Sequence, residues 1–473
     1  MHRFTSTAES SARVGAGLAL LILLPLFSAP SSGLAAAAWP TGRNVLFIVV
    51  DDWRDWAGYN DHYAGTIHTP HIDTLARVST RFTRAYTTVP NCLASRTSVL
   101  MGLSPATHGV GLITAMKPGV GSPQYNAVYE NPDVLSLPEV MGRHGYLTAA
   151  AGKVFHRQLP ERWHRVGPPI ARTQVRGMAD PGPDGTFMNP EVLPPGMTHP
   201  DHTIAEWAAD FLSNYDDDKP FFLAIGFYQP HLPWRVPQWA YDLYPLEDVA
   251  VHMPAPDELE DEPAEALALA SRPVFMGTSQ DELIRKAGKA REYTRAYLAS
   301  LSHTDAMIGQ VLAALRASER AERTDIVLWS DHGYHLGEKF HWRKSTLWEP
   351  SVRVPLLISS PGNDNYAVRD EDTPVSLLDL APTVLDLAGL PPFAQFEGKP
   401  LQQALRGDAV DIFMGRARAR IINGLKVIDY DVSSPPGEHD TAAYLLGVDP
   451  GEEMNLIAPL AAALRLPRGT KPE

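Results

Sequence analysis

The chain has 473 residues, which at roughly 100 to 200 per domain leaves room for two or three domains with sizeable cores. Hydrophobic residues make up 44% and charged residues 20%, ordinary globular usage that excludes disordered and fibrous architectures for most of the length. The net charge of -14, from 41 Lys plus Arg against 55 Asp plus Glu, argues against a general nucleic-acid binder, and the single cysteine, Cys92, excludes an intrachain disulfide.

Arg3 and Arg13 lead into an apolar run from Val14 to Phe27, followed by the small residues Ala35 to Ala38. That is a secretory signal pattern over residues 1–38. The run is shorter than the roughly 18 to 20 residues a membrane span requires, and Pro25 and Pro30 interrupt its end, so no stable membrane anchor is expected after cleavage. A periplasmic or secreted protein is expected.

Asn44 to Val50 is an unbroken apolar run of strand length, suited to a central strand buried on both faces, and Asp51-Asp52 end it. Val89 to Gly102 contains an apolar helical turn that places Cys92 at or just before a helix N-terminus, with Arg96 one turn on. On spacing alone a lone cysteine is more often a small buried hydrophobe than a nucleophile. Pro160 to Pro200, rich in Pro and Gly, reads as a long irregular insertion. Arg157, Arg162, Arg165, Arg172 and Arg176 at its start make either a rim that attracts an anion or a solvated loop.

Phe221 to Phe227 is a second apolar strand run, and Glu247 to Glu265 is an acidic excursion expected at the surface. Arg291 to Leu315 repeats Tyr293, Tyr297, Leu301, Ile308 and Leu315 near helical spacing. Thr324 to Trp329 and Val354 to Ile358 are further strands, the first running into Ser330-Asp331-His332. Strands alternating with helices imply an α/β domain with a largely parallel sheet, whose ligands sit beyond the carboxyl ends of the strands. Beyond Leu390, the segments Ala419 to Ile422, Lys426 to Tyr430 and Tyr444 to Val448 read as a smaller antiparallel subdomain. The expected division is a catalytic domain over 39–390 and a C-terminal subdomain over 391–473.

Asp51, Asp52, Asp331 and His332 thus fall at one sheet edge. Three carboxylates and an imidazole are a hard, oxygen-rich ligand set suited to Ca²⁺ or Mg²⁺. A strand-end Asp read singly also serves as a helix cap.

Cys92-Leu93-Ala94-Ser95-Arg96 resembles the sulfatase signature Cys-x-Pro/Ala-Ser-Arg, in which the cysteine is oxidised to formylglycine. The resemblance covers most of the mature chain. Asn44 to Asp52 looks like the family's first strand, and Thr69 to Ala76 looks like its Thr-Pro-Asn-Leu-Asp-x-Leu-Ala helix. Gly152 to His156, Gln229 to Pro233, Ser330 to Gly333 and Leu336 to Glu338 are similar to the iduronate-2-sulfatase branch, and Tyr444 to Leu456 to the closing motif of sulfatase C-terminal subdomains.

The resemblance implies an alkaline-phosphatase-like α/β sandwich with a large, mostly parallel central sheet. It makes Cys92 the formylglycine precursor, converted by a formylglycine-generating enzyme. Asp51, Asp52, Asp331 and His332 would hold Ca²⁺ together with the modified residue. Arg96 and Lys153 would steady the hydrated aldehyde and the sulfate oxygens, His156 would assist sulfate release, and His231 and Lys344 would contact the sulfate or protonate the leaving alcohol. A sulfated carbohydrate is the implied substrate. The chain departs from the pattern at Ala94, where proline is commoner, at Met101 and Leu103, where the signature usually continues Leu-Thr-Gly-Arg, and at His332, where many sulfatases have Asn. The Asp-His pair also occurs in relatives that cleave phosphate esters or phosphonates. A phosphodiesterase or phosphonate monoester hydrolase on the same scaffold, and a catalytically silent binder of sulfated glycans, are therefore the alternatives.

Overall fold

The first apolar run forms the centre of an eight-stranded sheet in the computed structural model, which describes residues 42–457 apart from 112–121, 170–187, 189, 276, 406 and 432–440. The expected signal segment 1–38 and Arg172 and Arg176 of the expected basic rim lie outside the described residues. In chain order the strands are β1 (Asn44–Asp51), β2 (Thr80–Phe82), β3 (Leu147–Gly152), β4 (Arg165–Val166), β5 (Phe221–Pro230), β6 (Thr324–Ser330), β7 (Leu356–Ser359) and β8 (Arg369–Glu371). Their spatial order is β8-β2-β7-β6-β1-β5-β3-β4. The block from β6 to β4 is parallel, and β7 pairs antiparallel with both of its neighbours.

All eight residues of β1 are buried, and their alternation divides them between two cores. Leu46, Ile48 and Val50 pack with α1 (Pro70–Ala76), with Ile204 and Ala205 of a helix at Pro200–Ser213, and with Tyr297 and Leu301 of the long helix Ala290–Ala317. Val45, Phe47 and Val49 face Val99 and Leu100 of α2 (Cys92–Met101) and Leu380 and Val384 of the helix Leu380–Leu387. The helices at 200–213, 290–317 and 380–387 are α3, α4 and α5. Each such side chain contributes about 1.5 to 3 kcal/mol by leaving water, so a strand apolar on both faces is stable only between two helical layers. This is the alkaline-phosphatase-like sandwich expected from the sequence.

Three expectations change. The run Val354 to Ile358 is divided at Pro355, which has no N–H to give a ladder; Arg353–Val354 pairs with Ala85–Tyr86, while β7 joins the main sheet. Arg162 is no rim cation, since its guanidinium is held by Glu139 and by the Tyr129 carbonyl at 2.7 Å. The acidic excursion is not all surface: Glu262 is 7% exposed and accepts bonds from Lys339 Nζ at 3.0 Å and from the Tyr444 hydroxyl at 2.6 Å. A carboxylate leaves water there because an ammonium and a phenol replace its hydration.

The C-terminal segments form an antiparallel meander of β9 (Val410–Met414), β10 (Ala417–Ile422), β11 (Leu425–Asp429) and β12 (Thr441–Leu445). The last strand lies earlier than the expected Tyr444 to Val448, because Leu445 to Asp449 turns, with the Val448 N–H donating to the Leu445 carbonyl at 3.0 Å. Ile412, Ala419, Ile421, Ile428 and Tyr444 cover Leu347, Trp348 and Val352, which follow the candidate site in the chain. Among the described residues no helix is long and apolar enough to cross a membrane.

Candidate active site

Four parallel strands end at the same edge, and each delivers part of one cluster. β1 ends in Asp51, and Asp52 follows with φ 63°, a left-handed conformation that few non-glycine residues adopt. Two bonds hold that turn. The Asp52 N–H donates to Asp331 Oδ1 at 3.1 Å, and its carbonyl accepts from the Tyr297 hydroxyl at 2.8 Å. β6 ends in Ser330, whose hydroxyl accepts the Trp53 N–H at 3.0 Å, and then supplies Asp331 and His332. β3 turns at Gly152 (φ 73°) to present Lys153, and a methyl group on Gly226 of β5 would collide with the Lys153 carbonyl. Glycine at both positions lets the two backbones approach closely enough for Lys153 to enter the site.

α2 begins at Cys92, capped by Asn91, whose side-chain oxygen accepts from the N–H groups of Leu93 at 3.1 Å and Ala94 at 3.4 Å. Arg96 follows one turn later and is fully buried. Its guanidinium donates to Asp331 Oδ2 at 2.8 Å, Asp51 Oδ1 at 3.3 Å, the Val154 carbonyl at 3.0 Å and the Lys153 carbonyl. Lys153 pairs with the other oxygen of Asp51. From a hairpin beyond β6, Lys344 Nζ donates to Asp52 Oδ1 at 2.6 Å and lies 3.0 Å from Cys92 Sγ.

His332 Nδ1 lies 3.0 Å from the Gly333 carbonyl, which makes that nitrogen the donor and leaves Nε2 with its lone pair toward Cys92 Sγ at 3.2 Å and Asp52 Oδ1 at 3.4 Å. Asp51, Cys92, Asp331 and His332 have potential ligand atoms within 4.8 Å of one another, as do Asp52, Cys92 and His231. All the residues singled out for metal binding therefore meet around Cys92, and Arg96, Lys153, His231 and Lys344 join them. His156 follows on the same loop as Lys153, and its Nδ1 is buried without a partner.

Burial would raise the Asp51 carboxyl, but the Lys153 ammonium and the charges behind it hold it well below the usual carboxylate range. Asp52 is likewise held low, against burial, chiefly by Lys344. Burial and the nearby Asp51 push the Cys92 thiol up to about 12. Burial takes His231 down to about 4, and burial with Lys153 beside it takes His156 down to about 2, so both imidazoles are neutral near pH 7. Three carboxylates and the three cations Arg96, Lys153 and Lys344 nearly balance in charge. A divalent ion among the carboxylates would leave the cluster positive, the sign that an anionic ester requires.

Several supporting residues were not singled out from the sequence. The Thr87 and Ser95 hydroxyls both donate to the Asp331 carbonyl, at 2.7 and 2.6 Å. Tyr297 reads as one more core residue of a helical stripe, yet its hydroxyl also accepts the Arg54 N–H at 2.9 Å. Ser95 and Ser330 lie inside quoted motifs, whereas Thr87 and Tyr297 could be found only from the fold.

A family model described as Sulfatase matches residues 43–390. A sulfatase from Formosa agariphila is 32% identical over 417 residues, covering 82% of this chain and 79% of the relative. Iduronate 2-sulfatase of Mus musculus is 29% identical over 430 residues, covering 77% and 74%. Among solved structures, phosphonate monoester hydrolase of Agrobacterium radiobacter superposes with a TM-score of 0.69 at 20% identity, covering 90% of this chain and 93% of that one.

Proposed function

The chain belongs to the sulfatase family and is a sulfuric ester hydrolase, and from that premise we propose that it releases sulfate from a sulfated carbohydrate, using Cys92 converted to formylglycine and a divalent cation, Ca²⁺ before Mg²⁺. The observation that carries the reading is the environment of Cys92. Its sulfur has an ammonium at 3.0 Å, an imidazole nitrogen at 3.2 Å and a carboxylate oxygen at 3.9 Å, and the thiol is held protonated. A protonated thiol is a poor nucleophile. Hydroxyl groups on the same carbon would use all three neighbours.

The donor set also suits the cation. Asp51, Asp52 and Asp331 are buried, the first two are held low and so ionised, and the His332 lone pair points among them. Bound there, the cation would polarise sulfate oxygens and the nucleophilic hydroxyl. The hydrated aldehyde offers one hydroxyl for attack on sulfur and a second whose deprotonation lets sulfate leave and the aldehyde return.

The chain's own residues divide the remaining work. Lys153 and Lys344 place fixed positive charge where the three nonbridging oxygens must lie. Arg96, wholly committed to Asp51, Asp331 and two carbonyls, orients the ligands from behind. His156 is held too low by burial and Lys153 to act as a base by itself; the negative charge of a sulfate ester bound beside it would raise its proton affinity, and its neutral ring would then take the proton of the second hydroxyl. His231 is neutral near pH 7, and an arriving sulfate ester raises its proton affinity, so substrate binding itself prepares it to protonate the departing alcohol.

The iduronate 2-sulfatase relative supports a sulfated sugar as substrate. The signal pattern of residues 1–38 supports export to the periplasm or the medium, after a formylglycine-generating enzyme has acted on Cys92. The fold shared with a phosphonate monoester hydrolase keeps phosphoryl transfer as the second reading. Protein matured in its own host, assayed with an aryl sulfate and an aryl phosphate diester, separates the two. The sulfatase reading expects the larger kcat/KM on the sulfate and loss of activity on chelation; a dominant phosphodiester rate contradicts it.

A further inference from the structure

β5 falls out of step with β1 at the edge where the site lies. The pairing runs regularly as far as Val50 opposite Phe227, and the next partners are Asp51 and Pro230, so Tyr228 and Gln229 form a bulge with no counterpart on β1. On its other side β5 has already lost β3, whose last pairing is Gly152 with Gly226. The N–H groups of the two bulged residues therefore need acceptors from outside the sheet.

Asp201 supplies both. It lies in the first turn of α3, fully buried, and its Oδ1 accepts from the Tyr228 N–H at 2.8 Å and its Oδ2 from the Gln229 N–H at 2.9 Å. A carboxyl accepts at both ends, whereas an amide of the same shape turns an NH₂ group toward one of the two donors. From α4, the buried Thr304 hydroxyl donates to the Gln229 carbonyl at 3.1 Å. The His231 N–H then closes the turn on the Tyr228 carbonyl at 2.9 Å.

The bulge sets where His231 falls. Laid out as regular strand at about 3.3 Å per residue, the two extra residues would displace it by about 6.6 Å. That exceeds the 4.8 Å within which the potential ligand atoms of Asp52, Cys92 and His231 lie. His231 Nδ1 is 2.6 Å from the Leu232 carbonyl, which makes it the donor and leaves Nε2 for the substrate.

We propose that Asp201, with Thr304, is a positioning residue for sulfate release: its carboxyl replaces the missing ladder in the bulge and so holds the His231 imidazole at the reacting group. The role rests on the sulfatase reading, in which His231 protonates the departing alcohol. Asp201 is buried behind the turn and acts only through it.

Protein matured in its own host is assayed at pH 8, above the value of about 7 to which burial raises the Asp201 carboxyl. Two esters are compared: para-nitrophenyl sulfate, whose phenolate leaves without a proton, and phenyl sulfate, whose phenolate needs one. Asp201→Asn should lower kcat about 10- to 100-fold on phenyl sulfate and less than about threefold on para-nitrophenyl sulfate, with KM unchanged on both. Thr304→Val should show the same selectivity at smaller size, and it carries the comparison should Asp201→Asn fail to fold. In a His231→Ala background neither substitution should lower kcat further. Equal losses on the two esters, no loss, or losses that add to that of His231→Ala would overturn the proposal. A readout free of turnover is the rate at which diethyl pyrocarbonate modifies His231, followed by mass spectrometry of its peptide. That rate should rise severalfold in either variant as the turn loosens, and an unchanged rate would overturn the proposal. A parent chain that releases sulfate from neither ester contradicts the sulfatase reading instead, and the modification rate still decides the role of Asp201.

Discussion

A thiol pushed up to about 12 by burial is ionised in only about one part in 10⁴ at pH 8. Unconverted protein should therefore resist iodoacetamide between pH 7 and 9 and react promptly once denatured; rapid alkylation of the native chain would show that burial and the neighbouring Asp51 do not hold the thiol protonated. Lys344 touches both the Asp52 carboxylate and the Cys92 sulfur. Replacing it by Met should lower kcat on an aryl sulfate by about 10² to 10³, the usual cost of one charge-stabilising donor, and a kcat within threefold of the parent would exclude that role. At this scale much was legible, because Asp51-Asp52, the Cys92 to Arg96 signature and Ser330-Asp331-His332 are short and contiguous. Tyr297 was not legible, because the carbonyl its hydroxyl meets is 245 positions away and nothing in the helical repeat distinguishes it from a packed aromatic. Arg162 misled for the opposite reason, since a basic loop reads as solvated until Glu139 is found beneath it.

The elements position the cluster through close backbone contacts that leave little tolerance. Gly226 of β5 lies against the Lys153 carbonyl, and Gly152 has a positive φ. Gly226→Ala should therefore cost about 1 to 3 kcal/mol in a denaturant melt, as overpacked cores do. It should also reduce kcat by displacing Lys153, and an unchanged midpoint together with an unchanged rate would contradict this. The long apolar runs announced β1, β5 and β6 because burial on both faces leaves no polar positions to confuse the period. The division at Pro355 and the short pairing of Arg353–Val354 with Ala85–Tyr86 were hidden, since two-residue strands have too few side chains to show a period and are fixed by tertiary contacts.

Across the whole molecule, buried charge links the meander to the catalytic layers. Lys426 on β11 donates to Glu349 at 2.9 Å and pairs with Glu452 at 2.7 Å, and all three are buried. We propose the division at 39–390 and 391–473 as one of topology, with both parts unfolding together through this contact. Lys426→Met would leave two carboxylates facing each other and should cost about 3 to 5 kcal/mol while keeping a single transition; two separated transitions in the parent chain would refute the coupling. Burial raises Glu452 to about 7. The folded state thus holds a proton that the unfolded state has lost between about pH 4.5 and 7, so this group's contribution falls as pH rises through that window. The Lys426→Met penalty should accordingly be smaller at pH 5 than at pH 8.

The net charge of -14 described the surface and said little of the site, where three cations answer three carboxylates around one carbon atom. The central claim is that this carbon carries an aldehyde. Mass spectrometry of the tryptic peptide containing Cys92, from protein produced in its own host, tests it directly: the account predicts the mass of formylglycine or its hydrate, and a wholly unmodified cysteine in active protein would contradict it.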